Sequence, residues 1–193
     1  MFAAEFVNHN LDLSKMYEKL NIIVLNNEFQ HNIESLEEFL YNCNIDNKYL
    51  NMDYGKKALN DLIIQSEYFQ KRGFSLGIIS LDNIYVLDGR IFLIANTIVK
   101  SLIDKYYVTI NEVYSKDNIF LPPELKSNEL LPFTTRLTYA YYTIGKIVQH
   151  IIFNDVTKPI EEIVKYTIME SRLYECLKRA TANNPNHRYL IYI

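Results

Sequence analysis

The chain has 193 residues, of which 49% are hydrophobic, and this suits one compact domain with a sizeable core. Its net charge of −3 and the lack of any long run of Lys or Arg argue against nucleic acid as a partner. No window approaches the roughly twenty apolar residues of a membrane span, and residues 1–5 do not resemble the start of a signal peptide, so we expect an intracellular, cytoplasmic protein that does not bind membranes.

The first third of the chain predicts one strand and two helices. Residues 1–21 are polar and mixed, whereas the β-branched apolar residues 22–25 are typical of a strand. Apolar residues recur at helical spacing in residues 33–41 and again in residues 53–72. The second helix should be the central buried helix, because one of its faces carries the stripe Leu59, Leu62, Ile63, Ser66 and Phe69.

A β-hairpin is predicted after the central helix. Residues 84–86 and 91–94 are β-branched or aromatic, and Asp88-Gly89 between them supplies the positive φ angles that a tight hairpin turn needs. Gly73 can end the preceding helix in the left-handed conformation of a C-cap. The expected local order is therefore helix, loop, hairpin.

The C-terminal half predicts three more helices, at residues 137–153, 155–172 and 173–180. Residues 98–118 are rich in Tyr and charge, and we expect Tyr106, Tyr107 and Tyr114 to be buried rather than phosphorylated. The fold class is therefore mainly α (α+β), with one short β-hairpin.

The order helix, loop, hairpin and four local sequence matches resemble the eukaryotic protein kinase family. Asn83 matches the metal-binding Asn that precedes two short strands in that family. Leu121-Pro122-Pro123-Glu124 resembles the Ala-Pro-Glu motif, and residues 183–188 resemble the closing segment with its Arg. The helix at residues 137–153 resembles the family's Asp-x-Tyr-Ser-x-Gly helix, although Ala140 stands where the Asp would brace the catalytic loop.

The resemblance implies a domain of residues 22–193 that is similar to a kinase C-lobe. Residues 1–21 are then an N-terminal extension or a vestigial small-lobe segment, and the small lobe is largely missing. The resemblance also implies a structural ion pair between Glu124 and Arg188.

The residues that perform catalysis in the kinase family are replaced. The alignment on Asn83 puts Ile78 in place of the Asp that accepts the hydroxyl proton, and Ala95 in place of the Asp that holds Mg²⁺. Neither side chain can do this chemistry, and no glycine-rich loop or ATP-binding lysine precedes them. We therefore expect no enzyme activity, no metal and no cofactor, with Asn83 in a structural role.

Cysteines and histidines suggest no other chemistry. Cys43 and Cys176 lie far apart, without a second thiol or histidine at ligand spacing, so we expect reduced, buried thiols. None of the four histidines pairs with Cys or Ser in a nucleophile motif.

The resemblance thus implies an inactive pseudokinase that acts as a protein–protein interaction module, or as a kinase decoy or regulator. Its partner would be a protein, such as a kinase or a host regulatory protein. Two alternatives stay open: an atypical kinase that binds nucleotide and is completed by a partner, and a structural subunit of a larger assembly.

In a kinase, the small lobe normally covers the side of the C-lobe where residues 22–25 and the hairpin would lie. We therefore expect an open strand edge and an apolar face at residues 22–25 and at the hairpin. Ile23, Tyr85 and Phe92 would contact the partner there, unless residues 1–21 cap the face themselves.

Overall fold

A computed structural model describes residues 24–25, 28–29, 33–45, 52–79, 81–87, 89–93, 98–127, 130–163 and 171–193. In these ranges the fold is α+β, with helices and small antiparallel sheets. The predicted extension at residues 1–21 lies outside them, as do Ile23 and Ala95. None of the helices in these ranges has the length and apolar composition that crossing a bilayer requires.

The strands of the described ranges form three antiparallel sheets. The first contains β1 (Val24–Leu25) and β2 (Glu28–Phe29). The second has the order β3-β5-β6 and contains β3 (Glu34–Ser35), β5 (Ile84–Leu87) and β6 (Arg90–Leu93). The third has the order β4-β7-β8-β9 and contains β4 (Phe74–Leu76), β7 (Ile98–Ile103), β8 (Tyr107–Ile110) and β9 (Phe133–Arg136).

The helices of the same ranges include two long ones that pack against each other, α2 (Met52–Gln70) and α4 (Tyr139–Phe153). The shorter helices are α1 (Leu36–Ile45), α3 (Pro123–Ser127), α5 (Ile160–Ile163) and α6 (Arg172–Ala180). Two 3-10 turns lie at Leu81–Asn83 and Pro185–His187.

The predicted central helix and hairpin are confirmed. The apolar stripe of α2 is buried, and Gly73 follows this helix in the left-handed conformation with φ 79°. Strands β5 and β6 pair antiparallel up to Leu87 and Arg90, and Gly89 in their connection has φ 68°. In both places glycine supplies a positive φ that other residues adopt only with strain.

The helix predicted at residues 33–41 begins later than expected. Glu34 and Ser35 belong to β3 and pair with Val86 and Tyr85. Helix α1 starts at Leu36 because Ser35 and Glu38 form a reciprocal capping box. The Glu38 N–H donates to Ser35 Oγ at 3.1 Å, and the Ser35 N–H donates to Glu38 Oε2 at 2.9 Å. These hydrogen bonds from Ser35 hold the pKa of Glu38 below its usual value.

The helix predicted at residues 155–172 begins later than expected: its described helical part is α5 (Ile160–Ile163), and residues 164–170 lie outside the described ranges. Helix α4 ends at a left-handed Asn154 with φ 51°, and Asp155 Oδ1 then accepts hydrogen bonds from the Thr157 N–H and hydroxyl. Such local side-chain bonds compete with a helix. Further along, Ser171 caps α6, its Oγ accepting the Tyr174 N–H at 3.1 Å, so the last helix is a separate element close to its predicted bounds.

Residues 98–118 contain a second hairpin that was not predicted. Strands β7 and β8 pair antiparallel, and Asp104 and Lys105 between them have φ 51° and 62°. The fold therefore contains more strand than the single expected hairpin. Tyr106 is 65% exposed, so its predicted burial is wrong, whereas Tyr107 and Tyr114 are half-buried.

Two side chains of α2 close the outer edge of β6. Asp61 Oδ2 accepts the Ile91 N–H at 3.0 Å, and Gln65 Oε1 accepts the Leu93 N–H at 2.9 Å. Gln65 Nε2 also donates to the Ile91 carbonyl at 2.8 Å. Burial raises the pKa of Asp61, while the Ile91 N–H and Arg90, 3.1 Å away, oppose this shift.

The other side of the hairpin is covered by β3, which pairs with β5. The open edge predicted at the hairpin is therefore wrong. The edge is closed because the main chain of β6 forms hydrogen bonds with side chains of α2, and the sequence pattern of a strand does not reveal such partners.

We expect Gln65→Ala to be clearly destabilising. It leaves the Leu93 N–H and the Ile91 carbonyl unpaired in the core, and because each buried unpaired group costs about 1–3 kcal/mol, the free energy of unfolding should fall by roughly 2–4 kcal/mol. Urea denaturation measures this loss in the free energy of unfolding. Gln70→Ala is the matched control, because Gln70 bonds only to the Ser66 and Tyr141 hydroxyls. Equal losses in the two variants would contradict the edge-closing role.

Candidate functional site

The loop after β4 is the segment that the sequence resemblance matched to the kinase catalytic loop. Leu76 at the end of β4 pairs with Ile98 of β7 and is fully buried. Ile78, which the resemblance aligned with the catalytic Asp, is half-buried and packs against the core, and Ile79 beside it is buried. Asn83 is half-buried at the end of the 3-10 turn that leads into β5. The described part of this loop is thus held by apolar packing.

Tyr139 lies on α4, and its side chain holds the start of this loop. Its fully buried hydroxyl donates to the Leu76 carbonyl, and Ser75 Oγ donates to the same carbonyl oxygen at 3.1 Å. Burial raises the pKa of Tyr139, so the phenol stays neutral at physiological pH. Two neutral hydroxyls therefore fix the backbone at the point where the loop begins.

The sequence interpretation missed Tyr139. It noted only that Ala140 replaces the Asp that braces the kinase loop, and Ala140 is indeed buried and apolar. The neighbouring tyrosine was the available signal, because a phenol can reach further than a carboxylate and can donate a hydrogen bond to a carbonyl.

These groups define the chemistry that is available at the start of the loop. A neutral phenol, a serine hydroxyl and isoleucine side chains offer no base that could accept a proton near pH 7. Across the residues that the structure describes, no group of three or more His, Cys, Asp and Glu side chains is placed to hold a metal ion.

Glu124 and Arg188 meet in a bidentate ion pair. Arg188 Nη1 lies 2.6 Å from Glu124 Oε1, and Nη2 lies 2.8 Å from Oε2. The guanidinium also donates to the carbonyls of Ala182 at 2.5 Å and Asn183 at 3.0 Å, and it stacks 4.9 Å from the Tyr142 ring. Helix α3 is thereby tied to α4 and to the segment after α6, as the resemblance implied.

Of the residues predicted to contact a partner, Ile23 lies outside the described ranges, and Tyr85 and Phe92 do not form an exposed surface. Phe92 is only 2% exposed, because β6 packs its side chains on α2, so its predicted partner contact is wrong. Tyr85 is half-buried, with its ring 5.9 Å from that of Phe92. Neither cysteine forms a disulfide; Cys176 is buried as predicted, whereas Cys43 is only half-buried.

A cavity of about 270 Å³ lies beside Lys146, which α4 buries. The ammonium donates to the Val156 carbonyl at 3.0 Å, Gln149 Oε1 at 3.2 Å and the Lys158 carbonyl at 3.4 Å. Burial lowers the pKa of this lysine. Because all three donors are used within the protein, Lys146 serves to hold the loop after α4 rather than to bind a ligand.

The most exposed apolar side chains lie near one end of the third sheet. Val113 is 82% exposed and Leu130 is 83% exposed, and Ile119 and Leu131 are also exposed. The last paired residues of β8 and β9 are Ile110 and Phe133, so the segments that carry Val113 and Leu130 leave the same end of this ladder. We call Val113, Leu130 and Leu131 the apolar end of the sheet.

No protein-family model matches the chain, and no curated protein is significantly similar to it.

Loss of the Glu124 carboxylate should destabilise the fold strongly. The Arg188 side chain is fully buried and that of Glu124 is 17% exposed, so Glu124→Ala leaves a buried uncompensated charge, which typically costs about 3–5 kcal/mol. Arg188→Ala leaves the more exposed partner and should cost less. Thermal and urea unfolding measure both variants. Glu124→Gln is the control, because it changes the net charge as Glu124→Ala does. Unchanged unfolding midpoints in both alanine variants would contradict a stabilising role for the ion pair.

Proposed function

We propose that the chain is a catalytically inactive, kinase-like module that acts in the cytoplasm by binding another protein, such as a kinase or a regulatory protein. The order of α2, β4, loop and hairpin is consistent with a kinase C-lobe. The ion pair between Glu124 and Arg188 is the long-range contact that this arrangement requires, and it supports the proposal independently of the loop.

The observation that carries the inactive assignment is the packing of Ile78. A catalytic base must present a proton acceptor to the substrate, within hydrogen-bond reach of the proton that it removes. Here the side chain at that position is an isoleucine directed into the core, and the adjoining carbonyl of Leu76 is bound to the Tyr139 and Ser75 hydroxyls. At these positions the loop is therefore held by apolar packing and neutral hydroxyls, which supply no acid or base for catalysis near pH 7.

The observation that favours a binding role is the apolar end of the sheet. Large apolar side chains that are more than four-fifths exposed are unfavourable in water unless a partner covers them, and neighbouring ones mark protein interaction sites. Val113 and Leu130 are exposed to this degree, and both lie just beyond the same end of the ladder between β8 and β9.

Mg-ATP should not stabilise the protein. A ligand that binds only the native state raises its stability by mass action, so binding at millimolar Mg-ATP would raise the melting temperature by several degrees. We expect no shift in differential scanning fluorimetry and no phosphate transfer to a generic substrate. An active kinase serves as the positive control. A reproducible shift would instead support the atypical, nucleotide-binding alternative.

The apolar end should be needed for binding the partner. We expect Val113→Asp with Leu130→Asp to abolish stoichiometric co-purification of a protein from the native cell without lowering the melting temperature. Tyr41→Asp, which changes a side chain that is 66% exposed on α1, is the matched control and should retain the partner. Retention of the partner by the double variant would contradict the assignment of this surface.

A further inference from the structure

Among the residues that the structure describes, no strand pairs with the outer edge of β9. This strand ends the third sheet, and its residues Thr135 and Phe133 pair with Val108 and Ile110 of β8. The Leu137 N–H donates to the Tyr106 carbonyl at 2.8 Å, in the same register. Because hydrogen-bonded and non-hydrogen-bonded pairs alternate along an antiparallel ladder, Thr134 and Arg136 direct their N–H and C=O groups away from β8.

Nothing in the described part of the chain closes this edge. Thr134 and Arg136 are both exposed, and no described group bonds to their outward main-chain atoms. This contrasts with β6, whose edge is closed by Asp61 and Gln65. Natural sheets protect an edge with a short strand, charged side chains, proline, a bulge or a covering element. Strand β9 has four residues and one charge, at Arg136, and carries no proline.

The surroundings of the edge differ at its two ends. At one end the Arg136 guanidinium lies 5.7 Å from the centre of the Tyr107 ring, and no carboxylate of the described residues is within ion-pair distance of it. At the other end lies the apolar end of the sheet, with Val113 and Leu130 exposed. A ligand that follows the edge would meet a cation first and apolar side chains second.

We propose that the outer edge of β9 binds an extended segment of a partner protein as an additional strand. This inference rests on the proposed binding function and specifies its partner. Main-chain groups of alternate residues recur about every 6.8 Å along a strand, which an extended chain matches, whereas a helix uses its own main-chain groups internally. The segment carries an acidic side chain opposite Arg136 and an apolar side chain that packs on Leu130.

A second copy of this chain fits the edge less well. The sequence of β9, Phe-Thr-Thr-Arg, contains no carboxylate that could face Arg136 of the first copy. Self-pairing would also bring two cationic strands together without compensation. Charge complementarity therefore favours a foreign acidic strand.

Selection from a library of random linear peptides on the full chain tests the proposal. We expect the enriched peptides to combine acidic and apolar residues at alternate positions. Thr134→Pro removes one outward donor but leaves the bonds between β8 and β9 intact, because the Thr134 N–H points away from β8. Loss of a backbone hydrogen bond and the clash of the proline ring should weaken the selected peptides about tenfold.

A charge exchange provides the second arm. Arg136→Glu should weaken the acidic peptides about two- to fivefold, as expected for an exposed ion pair, and should strengthen their lysine-substituted counterparts. Arg172→Glu makes the same charge change at an exposed position at the start of α6 and should have no effect. Unchanged melting temperatures show that each variant is folded.

The proposal is overturned if no peptide is enriched, or if the selected peptides bind Thr134→Pro as tightly as the parent protein. A dimer in sedimentation that becomes a monomer in Thr134→Pro would assign the edge to a second copy instead. If the native partner is captured equally by Thr134→Pro, the edge proposal fails while the binding function stands. Loss of the binding function itself is detected separately, by the absence of any stoichiometric partner.

Discussion

The hydrogen bonds from Asp61 and Gln65 of α2 to the edge of β6 are the constraint on which the rest of the fold depends. A buried strand edge must satisfy its N–H and C=O groups, and the two side chains, one helical turn apart, do so at a single orientation of the helix. The helix is thereby locked to the hairpin, while its other side packs on α4. Helix α4 in turn brings Tyr139 to the Leu76 carbonyl.

The elements that the sequence predicted well are those specified by local chemistry. The apolar stripe defines α2, and Gly73 and Gly89 mark the end of the helix and the turn of the hairpin, because each needs a positive φ. The elements that were missed depend on distant partners. Strand β9 is held only by β8, about twenty-five residues earlier, and strand pairing of this kind leaves a weak signal in short segments.

The candidate site could also be predicted only in part. The pairing of Glu124 with Arg188 followed from the resemblance, since both positions keep the residue types of the motifs. The role of Tyr139 could not be inferred, because its partner is a carbonyl and every residue has one. The continuous apolar run of β6 does not show from the sequence that both faces of the strand are covered, and this is why Phe92 is buried although it was expected at the surface.

The polar links of the fold span very different lengths of chain. Gln65 and Leu93 are 28 residues apart, whereas the bonds from Tyr139 to Leu76 and from Arg188 to Glu124 close loops of 63 and 64 residues. Doubling a loop adds only about 0.6 kcal/mol of closure entropy, so equilibrium stability hardly distinguishes them. Synthesis on the ribosome distinguishes these links, because α2 and its hairpin emerge complete before Tyr139 is added. The helix–hairpin unit can therefore dock first and offer a finished surface to α4.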